Sequence, residues 1–525
     1  MKIDKRAKRT ALVAILGVAT CVLLTCHTGP TDWTAFNRNT VEQNLATLDS
    51  ATTIYQSHLA AGDTDAAQQA WTFLLSQPGV DTASISPDST VWAFFSDGLL
   101  AGLGDFLAGV SDSARSEPAP IQEVKAQVGG ELASVVHYIL PFDLELPGTK
   151  ASADAIKARL KEDLNWDQSE TFLGGQVTIG LARSQIESGS SVLFWSGHGT
   201  LVPPAPGADV VPALLLGAKY NRKAAAEEAV TGSAGYLNPG PGKPRLAVIF
   251  EYAKNHTFGI EILPAFIRAY GNFDKFEDLP NYNHDKTIVY LSCCFSAYGG
   301  PSGSNREMFL AFQDAGADVV CGWTWAVSDD FAQDKDETFF REMGDTCFPY
   351  EAKALMGNLT DPNGHYGGHA IFKVVGDSYV MLRTVMQGEK DGTLLRAPQP
   401  GASGTSEQTS VSSLLHAKGG TDPVGQIVVT YPHASPGQFD CETDEYAVIT
   451  WSDFASSKAY FVAKGCKGVS GSINIGRSES DIIIGSFSGE LGYWGTNPPG
   501  DSQPTEVVSF ANGIMKYTGK IVHGK

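Results

Sequence analysis

Basic residues are scarce in this chain: 38 Lys and Arg stand against 58 Asp and Glu, a formal net charge of -20 at pH 7. Nucleic acid and anionic lipid surfaces attract proteins through basic stripes that release counterions, so no nucleic-acid partner is expected. No Gly-x-Ser-x-Gly elbow occurs, which weakens a serine-hydrolase reading. The turn Pro239-Gly-Pro-Gly-Lys-Pro244 lacks a phosphate loop's first glycine, with Leu237 in its place, and has Pro244 where Ser or Thr would bind magnesium. His365-Tyr-Gly-Gly-His369 has metal-like spacing, but Gly367-Gly368 breaks the helix that would align both rings, so it reads as a loop. No metal site and no internal repeat is expected.

Long apolar runs are also lacking beyond the N-terminus. There, Lys2, Lys5, Arg6, Lys8 and Arg9 precede an uncharged stretch, Ala11 to Leu24, which is too short for a comfortable permanent span. Leu23-Leu24-Thr25-Cys26 resembles a bacterial lipobox that would leave Cys26 lipidated. Thr25 stands where Gly, Ala or Ser is usual, Val18-Ala19-Thr20-Cys21 offers a similar frame, and a plain secretory signal is the other reading. Each reading sends the protein out of the cytoplasm, to the outer membrane or cell surface if lipidated. In an oxidising compartment Cys441 could pair with Cys466, and Cys321 with Cys347.

What is present is a pair of buried-strand patterns that end in reactive side chains. Ser191-Val-Leu-Phe-Trp-Ser-Gly197 runs into His198-Gly199-Thr200, and Thr287-Ile-Val-Tyr-Leu-Ser-Cys293 runs into Cys294-Phe-Ser-Ala297. Open α/β sheets hold their chemistry just outside the carboxyl ends of their strands. Vicinal cysteines on a strand face opposite ways, so one of Cys293 and Cys294 is packing and the other is exposed. A thiol attacks a carbonyl as thiolate; a nearby His takes its proton and later protonates the leaving amine. Backbone N–H groups of Gly199 and Cys294 are candidate oxyanion donors.

From about residue 130 the pattern alternates strand and helix: Val135–Leu140, the amphipathic stretch 152–164 with Ile156, Leu160 and Leu164 on one stripe, a helix around 181–186, the His198 strand, Leu246–Phe250, a helix near 260–270, and the Cys294 strand. After these come helix 305–315, strand Asp318–Trp323, helix 331–343 and strand Ala370–Val375. Beyond a stretch rich in Gly, Ser and Thr the period shortens to two, with short strands such as Ile427–Tyr431 and Ile482–Phe487.

The phrases Ser196-Gly-His-Gly199 and Val289-Tyr-Leu-Ser-Cys-Cys294-Phe-Ser-Ala297 resemble the caspase-like cysteine peptidase clan, which includes caspases, metacaspases, gingipain and clostripain types, separases and CHAT domains. Met308 to Asp330 is similar to the CHAT phrase of an Ala-Gly-Ala helix end, a Val-Val strand, a Trp and an Asp-Asp, and Ile371-Phe-Lys-Val-Val-Gly-Asp377 is similar to the phrase that closes CHAT and gingipain-type domains. The four landmarks cover roughly residues 130 to 385. The resemblance implies Cys294 as nucleophile, His198 as base and acid, a protein or peptide substrate, and no catalytic metal or organic cofactor. Metacaspases carry an Asp two residues before the nucleophile, where this chain has Ser292, so a basic P1 preference is not inherited. Asp143, Ser292 and Trp325 are the candidate pocket residues.

The expected organisation is a signal peptide, 1–26; an N-terminal, mostly helical region, 27–125, read as spacer, support or pro-segment; a caspase-like catalytic domain, 126–390; a linker, 391–422; and a C-terminal β domain, 423–525. The fold class is α/β: a mostly parallel sheet flanked by helices, followed by an all-β sandwich-like domain suited to surface presentation or partner binding. The functional reading is an exported cysteine endopeptidase. The alternative is a catalytically inactive surface lipoprotein that keeps the scaffold for recognition.

Overall fold

The structure is a computed structural model and describes residues 36–105, 136–164, 169–231, 233–238, 243–273, 287–300, 306–346, 349–376 and most of 385–523. Cys21, Cys26, Cys347 and Asp377 lie outside the described residues. The chain forms two compact units, one built from residues up to 105 with 203–208 and 219–266, the other from 106–202, 209–218 and 267–525. No helix among the described residues is long and apolar enough to cross a membrane.

In the larger unit the elements follow as β1 (Val136–Leu140), α1 (Pro147–Leu164), β2 (Ser169–Leu173), α2 (Ile179–Ser188), β3 (Val192–Gly197), β4 (Gly199–Val202), β5 (Val211–Leu215), β6 (Ile288–Cys293), α3 (Glu307–Asp314), β7 (Val319–Trp323), α4 (Asp329–Thr346) and β8 (Phe372–Gly376). A six-stranded sheet has the order β8-β7-β6-β3-β1-β2. All its pairs are parallel except the edge pair β7–β8. Every residue of β1, β3, β6 and β7 is buried, as near-continuous apolar runs in a sheet covered on both faces require.

One face of this sheet packs against α1 and α4. Ala153, Ile156 and Leu160 recur at helical spacing on α1, and Ala332, Phe339, Phe340 and Met343 on α4; all are buried in one cluster with Tyr138, Phe194, Tyr290 and Trp323 from the strands. Phe339 and Phe340 both pack at a tilt against Tyr290, with ring centroids 5.0 and 5.2 Å away. Truncating either to Ala would cost about 3–5 kcal/mol. The mostly parallel α/β core expected from the alternating pattern is therefore present.

The C-terminal part is all β: a twelve-stranded sheet that begins at Val385–Lys390. Its core centres on Tyr431, Trp451, Phe487 and Phe510. The stretch 391–422, expected as a linker, instead carries strands Thr393–Ala397, Gly401–Gly404 and Gln408–Ala417 of this sheet. Thr409, Val411, Ser413 and Leu415 all point inward, so two hydroxyl side chains interrupt the apolar face and disguise the alternation as loop composition. Cys441, buried in this core, and Cys466, half-buried against it, are free thiols, and Cys321 is free and buried. The considered Cys441–Cys466 pairing is not formed.

The smaller unit departs most from expectation. Residues 36–105, expected as mostly helical with a short hairpin-like piece at 89–99, hold helices Arg38–Ala60 and Ala66–Leu75 and the antiparallel pair Val91–Phe95 and Leu100–Gly104 where that piece was expected, with a further strand, Val80–Ile85, that was not. Leu246–Phe250, expected in the parallel sheet, is strand Ala247–Tyr252 here and pairs in parallel with Leu100–Gly104. The helix expected near 260–270 is present as Pro264–Tyr270 but begins later, Ile260 lying in strand Thr257–Ile262, antiparallel to Ala247–Tyr252. A fully buried apolar run shows that a strand is covered on both faces but not which sheet it joins, and this is where the reading by order alone fails.

Candidate active site

β3 and β6 are parallel neighbours in register, with Gly197 opposite Cys293. The next residues, His198 and Cys294, therefore leave adjacent strand ends at the same level. Both line a cavity of about 200 Å³ at the carboxyl edge of the sheet. Cys293 faces the other way: it is completely buried, its thiol lies 3.5 Å from the Trp195 carbonyl, and burial pushes its pKa well above the usual thiol value. Cys294 is half-buried, and its thiol donates weakly to the Val327 carbonyl at 3.8 Å.

His198 sits under the edge of the Phe142 ring, with centroids 4.6 Å apart. Burial lowers its pKa to about 4, so the imidazole is neutral at pH 7 and able to accept a proton. Leu215 N–H donates to the His198 carbonyl, which makes these two the hydrogen-bonded pair of the β4–β5 ladder and Gly199–Leu214 the non-bonded one. The Gly199 N–H consequently points away from β5. A side chain at Gly199 would overlap the Cys294 carbonyl oxygen, so the backbone behind the thiol approaches only because this residue has no Cβ.

The thiol is presented by a tight turn. Phe295 has φ +59°, a left-handed conformation that costs a bulky residue on the order of 1–3 kcal/mol and is held only by its surroundings. Those surroundings are specific. Phe295 N–H donates to the Trp325 carbonyl at 3.2 Å and Ala297 N–H to the Trp323 carbonyl at 2.8 Å. The buried Ser296 hydroxyl donates to the Cys293 carbonyl at 2.8 Å and accepts from Trp323 N–H at 3.0 Å, tying the end of β6 to the end of β7. Gly322 leaves room for that hydroxyl, since a Cβ there would overlap it.

Part of the cavity lining is polar. Ser292 donates to Asp336 of α4 at 2.7 Å, and both line the cavity with Ser196 and Asp329. Burial holds the Asp336 carboxyl well above its ordinary pKa, while the hydrogen bond from Ser292 pulls it the other way. One wall, Ala326 to Asp329, is pinned by the buried Asp361, which accepts from Ser328 N–H at 2.7 Å and from the Ser328 hydroxyl at 2.8 Å.

Of the pocket candidates, Ser292 lines the cavity, whereas Asp143 and Trp325 are not among its lining residues. Asp143 lies in the turn after β1 beside Gly174, and burial raises its pKa. Trp325 packs behind the nucleophile turn, 5.2 Å from the Phe295 ring and 5.9 Å from Tyr298, and donates to the His365 carbonyl at 2.6 Å. It thereby supports His365 and Tyr366, which do line the cavity. Sequence reasoning missed Asp336, although a carboxylate interrupting the stripe Ala332, Phe339, Phe340, Met343 was its signal. It also missed Phe142, which no spacing connects to His198.

No protein-family model and no curated protein matches this chain. Among solved structures it is similar to the Arg-specific cysteine proteinase gingipain R, at 11% identity and a TM-score of 0.28, over 63% of this chain and 64% of that one. It is similar at 12% identity and a TM-score of 0.28 to a complex of Porphyromonas gingivalis RgpB pro- and mature domains, over 63% of this chain and 66% of that one. The chain thus spans slightly less than two thirds of each neighbour. With likeness this slight, the cavity and not the neighbours carries the functional reading.

Proposed function

We propose that this protein is a cysteine endopeptidase with Cys294 as nucleophile and His198 as general base and acid. The observation that supports the reading is the β3–β6 register, in which Gly197 and Cys293 are opposite and the next two residues line one cavity while the neighbouring thiol is sealed in the core. His198 takes the Cys294 proton as Sγ bonds to the substrate carbonyl carbon. The amide C–N bond then breaks, the imidazolium protonates the departing amine, and a thioester remains. Water gives a proton to His198, attacks the thioester, and releases the acid while the thiol is restored. The Gly199 and Cys294 N–H groups stabilise the oxyanion of both tetrahedral intermediates. His198 is neutral before the reaction, so the thiolate forms as the proton moves and not as a resting ion pair.

The leader would export the chain, with a lipid on Cys26 anchoring it to the outer membrane or cell surface, and the C-terminal β part would present it or bind partners there. A covalent cysteine-directed probe tests the chemistry. Labelling should disappear in Cys294→Ala and persist in Cys293→Ala, and cleavage of a peptide library should follow the same pattern. Equal loss in both variants, or no labelling of the native protein, returns the chain to its alternative role as a non-catalytic recognition protein.

A further inference from the structure

Three side chains of the smaller unit converge although nothing in the sequence links them. Asp49 lies on helix Arg38–Ala60, Glu251 on strand Ala247–Tyr252, and His256 in the turn that follows this strand. His256 Nδ1 is 2.5 Å from Asp49 Oδ1 and 3.2 Å from Glu251 Oε1. One ligating atom from each of the three residues lies within 4.8 Å of the others.

Two buried atoms beside this cluster lack a hydrogen bond of ordinary length. Glu251 is completely buried and its Oε2 is unsatisfied. Thr52, one helical turn on from Asp49, lies against the Glu251 carboxyl; it is also completely buried, and its Oγ1 makes no hydrogen bond of ordinary length. Leaving such groups unpaired is costly, and His256 cannot repair it alone. Its Nδ1 carries at most one proton, so it serves Asp49 or Glu251 but not both. A divalent cation would engage all three groups at once.

We propose that Asp49, Glu251 and His256 form a divalent-metal site in which the ion ties the N-terminal helix to the strand and turn. Two carboxylates and one imidazole suit zinc, manganese or cobalt better than calcium, which takes six to eight oxygen ligands. Donors about 2.0–2.2 Å from a tetrahedral ion lie about 3.4 Å from one another, a spacing that small side-chain adjustments reach here. Arg222 Nη1, 3.1 Å from Asp49 Oδ2, holds the outer carboxylate oxygen and leaves Oδ1 for the ion.

The test is titration of the chelator-treated full-length protein with zinc, manganese and cobalt ions, followed by calorimetry and thermal melting. The expected result is one ion per chain, a rise in Tm of several degrees, and visible cobalt bands from mixed nitrogen and oxygen donors. Glu251→Gln, which keeps side-chain size, should weaken binding at least 100-fold while its metal-free Tm stays close to the native one. His256→Gln, at a part-exposed turn, should lose the same affinity and the cobalt bands. The exposed cluster His58, Asp63 and Asp65 is the control: Asp63→Asn should leave binding unchanged. Absence of stoichiometric binding at millimolar metal overturns the proposal, as does binding that survives Glu251→Gln or is lost in Asp63→Asn.

Discussion

At the scale of single residues, the environment of His198 makes a definite statement about pH. An imidazole in water titrates near 6.5, but this one is buried against Phe142 and its pKa falls to about 4. A general base must be unprotonated to act, so activity should persist through pH 5 and fall only as pH approaches 4. A profile of kcat/KM against pH for a neutral peptide substrate checks this; an acid limb near 6.5 would mean that the imidazole is solvated in the working enzyme. That one of the adjacent thiols would be packed and the other part-exposed was legible in the sequence, because vicinal residues at a strand end face opposite ways. Phe142 and Asp336 were not legible as site residues. They reach His198 and Ser292 across tertiary contacts that sequence order does not encode.

At the scale of elements, the turn 294–297 decides whether the thiol is held or loose. Its left-handed Phe295 is compensated by backbone bonds to residues 323 and 325 and by the Ser296 hydroxyl, which bridges two strand ends. Ser296→Ala leaves a buried Trp323 N–H without an acceptor and should cost about 1–3 kcal/mol. If Ser296 is a positioning residue, probe labelling of Cys294 should slow by more than the loss of folded protein explains. Melting curves and labelling rates measured below the transition separate the two effects, and an unchanged labelling rate would reduce Ser296 to a purely structural role. The strands that flank this turn were legible because sheets covered on both faces demand continuous apolar runs. Gln408–Ala417 was not, because Thr409 and Ser413 supply half of its inward face.

At the scale of the molecule, the smaller unit is assembled from separate parts of the chain, and this bears on whether its N-terminal part is a removable pro-segment. Strand Leu100–Gly104 pairs in parallel with Ala247–Tyr252 over four register positions. The Trp92 and Phe250 rings lie 6.2 Å apart, both completely buried, and the Arg245 guanidinium donates to the Gly98 carbonyl at 2.8 Å. Removing residues 36–105 would strip strand Ala247–Tyr252 of one neighbour and expose an apolar edge, a template for unwanted pairing. A cleaved pro-segment should instead leave a folded remainder. The expected outcome for a chain beginning at residue 106 is therefore aggregation and loss of Cys294 labelling, with limited proteolysis of the native protein sparing the peptide bonds within strands Val91–Phe95 and Leu100–Gly104. A soluble, monomeric and labelled truncation would show that these strands are dispensable and restore the pro-segment reading. The sequence left that choice open because strands Leu100–Gly104 and Ala247–Tyr252 are separated by more than a hundred residues and share no motif, so only their pairing reveals that they fold together.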